Sequence, residues 1–308
     1  MTQQTLTRRE LCGLLGAAAF ATGLPGTPAT AATTMATRKV PSSGEAMPVI
    51  GMGSSGTFNV GSSATERKPL SEVLQIFSAG GGTIIDTSPM YGKSEAVLGD
   101  LIAESATRKK FWLATKVWTE GREAGAKQIA ESMRLLRTER LELLQIHNLL
   151  DWQAHVPTIR SLQESGKLRY SGITHYKASA HEPLERVLSK EKFDWVQFNY
   201  SLTEREAEQR LLPFCQENGI AVMINRPFAD GAMFSRVKDK PPPPWAAEIG
   251  CKTWAQFFLR FVVSHPAVTC AIPATSKPRH MSDNVAAGST PLPDSKQRAR
   301  MATYFADL

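Results

Sequence analysis

Short apolar or β-branched runs at residues 49–53, 83–87, 111–117, 141–147, 170–174, 195–199, 220–225 and 269–273 recur along the chain. Between them lie longer stretches of helical periodicity, at 94–105, 126–136, 156–164, 183–191, 204–218 and 254–263. Gly166 and Gly219 follow two of these stretches, as C-terminal caps do. Strict alternation of strand and helix calls for right-handed crossovers and so for a parallel sheet. Eight such units over roughly 270 residues suit a closed (β/α)8 barrel, which typically takes about 250. An open dinucleotide-binding sheet would want a G-x-G-x-x-G turn after its first strand, and no strand here is followed by one. The expectation is one α/β (TIM) barrel over 42–308, reached by a short linker at 32–41. The connection over 228–253 is unusually long and carries Asp230, Gly231 and four prolines at 241–244. Following the seventh strand, it is expected to hang over the barrel mouth as a semi-rigid lid.

Residues 1–31 read differently. Arg8 and Arg9 precede an apolar, Ala- and Gly-rich stretch from 11 to 24, and Ala29-Thr30-Ala31 supplies a small-residue cleavage site. This is the layout of a secretory signal, too short to remain as a membrane anchor. The paired arginines make it resemble a twin-arginine (Tat) leader, with Leu11 and Gly13 at positions that usually hold Phe and Lys. The expected product is exported by the Tat machinery, cleaved near Ala31, and soluble in the periplasm. Beyond the leader three cysteines remain, Cys215, Cys251 and Cys270, an odd number that suggests small buried hydrophobes more than a disulfide framework.

At 308 residues, 42% hydrophobic and 21% charged, the chain can bury a large core without metal or disulfide. Its net charge of +7 is spread without any run of five or six basic residues, so no nucleic-acid partner is indicated. Active sites of such barrels form at the C-terminal strand ends. There the second strand ends in Asp86, with Tyr91 just beyond, the third in Lys116 and the fourth in His147. A lysine cation beside a tyrosine favours the phenolate, which would bring Tyr91 closer to neutral pH as a general acid and base. Asp86 would hold Lys116, and His147 would hydrogen-bond a substrate oxygen. Taken singly, each could be structural: an ion pair, a core histidine, a loop anchor. A metal-dependent hydrolase using Asp86, His147 and His175 lacks the His-x-His or paired-carboxylate spacing.

The segments around these residues resemble the aldo-keto reductases. Residues 82–92 (GTIIDTSPMYG) with 94–99 (SEAVLG) look like the family's first signature, and ATKVW (114–118), LQIHN (144–148), GKLRYSG (166–172) and IPATS (272–276) follow in the family's order. The resemblance covers nearly all of the chain after the leader. It implies hydride transfer between NADPH and a small-molecule carbonyl, with Asp86, Tyr91, Lys116 and His147 as the catalytic tetrad. It also implies nicotinamide contacts from Gln197, Thr174 and His175, where the family usually has Ser-Asn for the last two. Asn225, beside Arg226, stands where an aromatic often stacks on the nicotinamide. Lys277 or Arg279 would neutralise a 2′-phosphate, Asp283 and Asn284 match the adenine-binding pair, and Thr275 joins them in the cofactor site, with NADP favoured over NAD and Ala274 replacing a common lysine. Phe58, Trp118 and the 228–245 stretch are expected to wall an apolar substrate pocket, and a monomer is implied. Export leaves the supply of NADPH unexplained, so a second reading stands beside the first: a redox-inactive, reductase-like binding protein outside the cytoplasm.

Overall fold

A computed structural model describes residues 34–105 and 107–308; the expected leader lies outside the described residues. The strands are β1 (Thr37–Lys39), β2 (Ala46–Pro48), β3 (Met52–Gly53), β4 (Ile84–Asp86), β5 (Trp112–Val117), β6 (Leu141–His147), β7 (Leu168–Thr174), β8 (Trp195–Asn199), β9 (Ala221–Asn225) and β10 (Cys270–Ala271). The helices are α1 (Ala64–Ala79), α2 (Ser94–Glu104), α3 (Arg122–Leu135), α4 (Trp152–Glu164), α5 (His181–Leu188), α6 (Leu211–Glu217), α7 (Ala232–Arg236), α8 (Trp254–Val263), α9 (Pro278–Ala287) and α10 (Ser295–Ala306). Strands β3 to β10 pair in sequence order, all parallel, and bridges from Ile50 to Ala271 and from Gly53 to Ala274 join the two edges. The fold is a single (β/α)8 barrel, as the alternation predicted.

Side chains alternate across each strand. On β5, Leu113 and Val117 pack outward under the helices, while Trp112 and Ala114 turn into the barrel. The inward set forms layers. At the bottom, the Trp112 ring lies 5.4 Å from Trp195 and 6.0 Å from Tyr170. At the top, the inward positions are polar: Asp86, Lys116, Gln145, His147, Thr174, Gln197 and Asn225.

Three expectations need correction. The linker expected over 32–41 holds a strand where it is described: Thr37–Lys39 pairs antiparallel with Ala46–Pro48, and Val40 and Met47 of this hairpin pack on the bottom layer of the barrel. The helix expected over 204–218 is confined to Leu211–Glu217, because Glu204 is engaged by Asn199 and Arg226 and the backbone of Arg210 is non-helical. The 228–253 connection is not a proline lid. It folds into α7 and short 3-10 turns, and only its two ends, from Phe228 to Phe234 and at Thr253, reach the barrel mouth. The proline run is held elsewhere: the Trp254 indole donates to the Lys240 carbonyl at 2.7 Å, and Trp245 packs between Phe257 and Tyr304.

Candidate active site

A cavity of about 1100 Å³ opens over the C-terminal strand ends. Its floor is a hydrogen-bonded polar layer. The Lys116 ammonium, fully buried, donates to Asp86 Oδ2 at 2.6 Å and to the Thr87 carbonyl at 2.7 Å. The other carboxylate oxygen, Asp86 Oδ1, accepts from Gln145 at 3.0 Å and from Gln197 at 2.9 Å. Both oxygens of this buried carboxylate therefore have hydrogen-bond donors. Gly172, opposite Gln145 in the β6–β7 ladder, leaves room for that amide: a Cβ would meet Gln145 Cγ at 3.2 Å and the Trp195 carbonyl at 2.9 Å.

Tyr91 sits on a turn after β4, fixed by its amide donating to the Ser88 carbonyl at 3.0 Å. Gly92 follows at φ +62°, with Asn59 packed where a Cβ would stand, so the chain can turn sharply enough to keep Tyr91 over Lys116. Lys116 Nζ lies 5.0 Å from the centre of the Tyr91 ring, whose hydroxyl meets the Lys116 and Ser55 side chains. Burial raises the Tyr91 pKa, and the opposing pull of Lys116 does not cancel it. The expectation that Lys116 would bring Tyr91 toward neutral pH is therefore corrected: in this protein Tyr91 is a phenol at neutral pH. Burial also acts to lower the Lys116 pKa, but Asp86 and Tyr91 outweigh it and the net shift is upward, so the ammonium stays charged. His147, edge-on to Tyr91 with ring centres 6.0 Å apart, is pushed down to about 2 by burial, then by Lys116 and His175, and is a neutral imidazole. Its Nδ1 lies 3.1 Å from the Ser88 hydroxyl.

Beyond this cluster the wall continues through Thr174, Gln197, Asn225 and Arg226 to Thr275, Arg279, Asp283 and Asn284. Asn225 donates to Gln197 Oε1 at 3.2 Å and to the His175 carbonyl at 3.3 Å, while its own Oδ1 has no partner. Arg226 is held by Glu204 at 3.1 Å, by Asp230 at 2.8 Å and by the Tyr176 carbonyl. His175 stacks on Tyr176 and is not part of the wall, and Lys277 is the N-cap residue of α9, also outside it. Phe58 is not a pocket wall either: it is wholly buried in the core under the helices. Trp118 lies outside the wall but keeps its ring 6.4 Å from His147.

Sequence reasoning missed Gln145, Ser88, Ser54, Ser55 and His280. Gln145 was findable, standing two residues before His147 and so on the same strand face. His280, on the first turn of α9, required the structure to show that it faces the cavity.

The match of residues 49–301 to the model of the aldo/keto reductase family places the chain in that family, whose members are NAD(P)H-dependent oxidoreductases acting on carbonyls. The chain is 28% identical over 247 residues to a methylglyoxal reductase of Escherichia coli, covering 78% of this chain and 85% of that one. A Bacillus subtilis aldo-keto reductase is 27% identical over 203 residues, 60% of each chain. Among solved structures, an aldo-keto reductase of Klebsiella pneumoniae in complex with NADPH superposes with a TM-score of 0.72 at 25% identity, over 89% of this chain and 95% of that one.

Proposed function

We propose that the protein is an NADP-dependent reductase of aldehydes or ketones, in which Tyr91 serves as the proton donor. The observation that carries this reading is a phenol kept protonated by burial, over a charged lysine and beside a neutral imidazole, in a cavity of about 1100 Å³ whose lining continues to Arg279 and Asn284 on α9. The cavity suits that group on its own chemistry. The unpartnered Asn225 Oδ1 beside Gln197 and Thr174 matches a carboxamide's N–H donors. Arg279 and His280, at the N-terminus of the ten-residue helix α9, match a phosphate. The Klebsiella pneumoniae structure in complex with NADPH supports the same choice.

When bound there, NADPH supplies a hydride to the carbonyl carbon. The carbonyl oxygen takes its proton from the Tyr91 hydroxyl as the C=O π bond becomes the new O–H bond, and the phenolate left behind recovers a proton from water. Lys116 stabilises that phenolate, and Asp86 keeps Lys116 charged and fixed. In the tautomer in which the Ser88 hydroxyl donates to Nδ1, His147 would present Nε2–H to the same carbonyl oxygen. The test is titration of residues 32–308 with NADPH and NADH, followed by a reactive aromatic aldehyde. Aldehyde-dependent NADPH oxidation is expected; failure to bind either nucleotide would favour the redox-inactive binding protein.

The export reading rests on Arg8, Arg9 and the apolar stretch after them. Replacing both arginines by lysine should hold the protein in the cytoplasm; continued export would point to the general secretory route.

A further inference from the structure

Glu95 lies on the first turn of α2 at 2% exposure, and no step of the carbonyl reduction uses it. Its partners are hydroxyls, not a cation: Oε1 accepts from Thr115 on β5 at 2.5 Å, and Oε2 accepts from Ser132 on α3 at 3.1 Å. Taking a carboxylate out of water is costly. Burial pushes the Glu95 pKa up against the pull of both hydroxyls and of Lys116, and Glu131 on α3 adds to the rise. An apolar side chain would fill the same place without that cost, so the hydrogen bonds themselves call for a role.

The neighbouring contacts supply one. Ser94, the residue before Glu95, holds the Tyr91 carbonyl with its amide at 3.2 Å and with its hydroxyl at 2.8 Å. Thr115, which Glu95 holds, comes immediately before Lys116. Side chains alternate along the strand, so Thr115 turns out toward the helices while Lys116 turns into the barrel. Two adjacent residues of α2 thus grip, one each, the turn that carries Tyr91 and the strand that carries Lys116. One helical turn further on, Gly99 seats the same face of α2 on α3, where an added Cβ would collide with the Leu135 carbonyl. Any shift of α2 along β5 would break the Thr115 bond.

Resting on the reductase reading above, we propose that Glu95 is a positioning residue of the proton-donor pair: by joining the start of α2 to Thr115, it sets the Tyr91 ring over Lys116, with Nζ 5.0 Å from the ring centre. There the ammonium is placed to stabilise the phenolate that proton transfer leaves behind. The Thr115 bond carries this effect, and the Ser132 bond holds α2 to α3.

Single-turnover reduction of a reactive aromatic aldehyde by the NADPH-loaded enzyme reads the effect. Glu95→Leu and Thr115→Val should each slow the reaction at least about tenfold, as small misplacements of reacting groups do, with the NADPH Kd and the aldehyde affinity within about threefold of wild type. Glu95→Gln, which keeps an acceptor for Thr115, should recover most of the rate, and Ser132→Ala should stay near wild type. A rate unchanged in Glu95→Leu, or lowered equally in Ser132→Ala, would overturn the inference. Magnetic resonance of tyrosine isotope-labelled at Cζ tests the geometry in a protein that turns nothing over. The Tyr91 signal, assigned by its loss in Tyr91→Phe, should move in Glu95→Leu and Thr115→Val and stay in Glu95→Gln and Ser132→Ala. A signal unmoved in both of the first two variants would overturn the inference whatever the fate of the reductase reading, whereas wild-type protein that reduces no aldehyde would overturn that reading alone.

Discussion

The side-chain amide of Gln145 donates to Asp86 Oδ1 at 3.0 Å, from a position two residues ahead of His147 on the same strand. One strand thus both carries His147 and steadies the carboxylate that holds Lys116. Replacing Gln145 by Leu removes a donor from a buried charge, an interaction worth about 1.5–3 kcal/mol. The expected result is a kcat lowered about tenfold with the NADPH Kd within about threefold of wild type, read by pre-steady-state kinetics and fluorescence titration.

Tyr91→Phe keeps the ring over Lys116 and removes the proton. Turnover should fall by about 10³-fold, within the range general acid catalysis contributes. Affinity for NADPH should be nearly unchanged. A variant that reduces aldehydes at close to the wild-type rate would remove Tyr91 from the mechanism.

His147 titrates near 6.5 when unfolded and near 2 when folded, because burial and the Lys116 charge oppose its protonation. The native state is then favoured fully above pH 6.5. As the pH falls below 6.5, the unfolded chain binds a proton that the folded protein refuses, at a cost of about 1.4 kcal/mol per pH unit. Urea midpoints measured from pH 7 down to 4.5 should decline, and His147→Asn should flatten that slope by about one proton.

Arg279 lines the cavity, whereas Lys277, two residues earlier, does not. Arg279→Ala should weaken NADPH binding about tenfold and NADH binding much less, since only the former carries the extra phosphate. Lys277→Ala should change neither, and an equal loss for both nucleotides in Arg279→Ala would place the arginine away from that phosphate.

The barrel was legible because periodicity switches between two and 3.6 residues at each unit, and the strand ends carried Asp86, Lys116 and His147 in plain view. What stayed hidden depends on three-dimensional packing. Phe58 and Trp118 look alike as aromatics after a strand, yet the first is swallowed by the core and the second stands beside His147, a difference no local pattern encodes. The proline run reads as a lid by its place in the chain, but Trp254 and Tyr304 draw it aside. The Tyr91 pKa goes the other way from the sequence argument because burial, invisible in one dimension, outweighs the neighbouring cation.

The hairpin under the barrel has a consequence for synthesis. Its Ser43 and Glu45 meet the Tyr170 hydroxyl at 2.6 and 2.8 Å, contacts spanning 127 and 125 residues. The first described piece of the chain to leave the ribosome is thus finished only when β7 arrives. Until then Val40, Met47 and Trp112 lack much of the layer that covers them, and a nascent half-barrel exposes both apolar surface and an open strand edge. Chains stopped before residue 170 should be captured by chaperones or aggregate, while those extending through β10 should close.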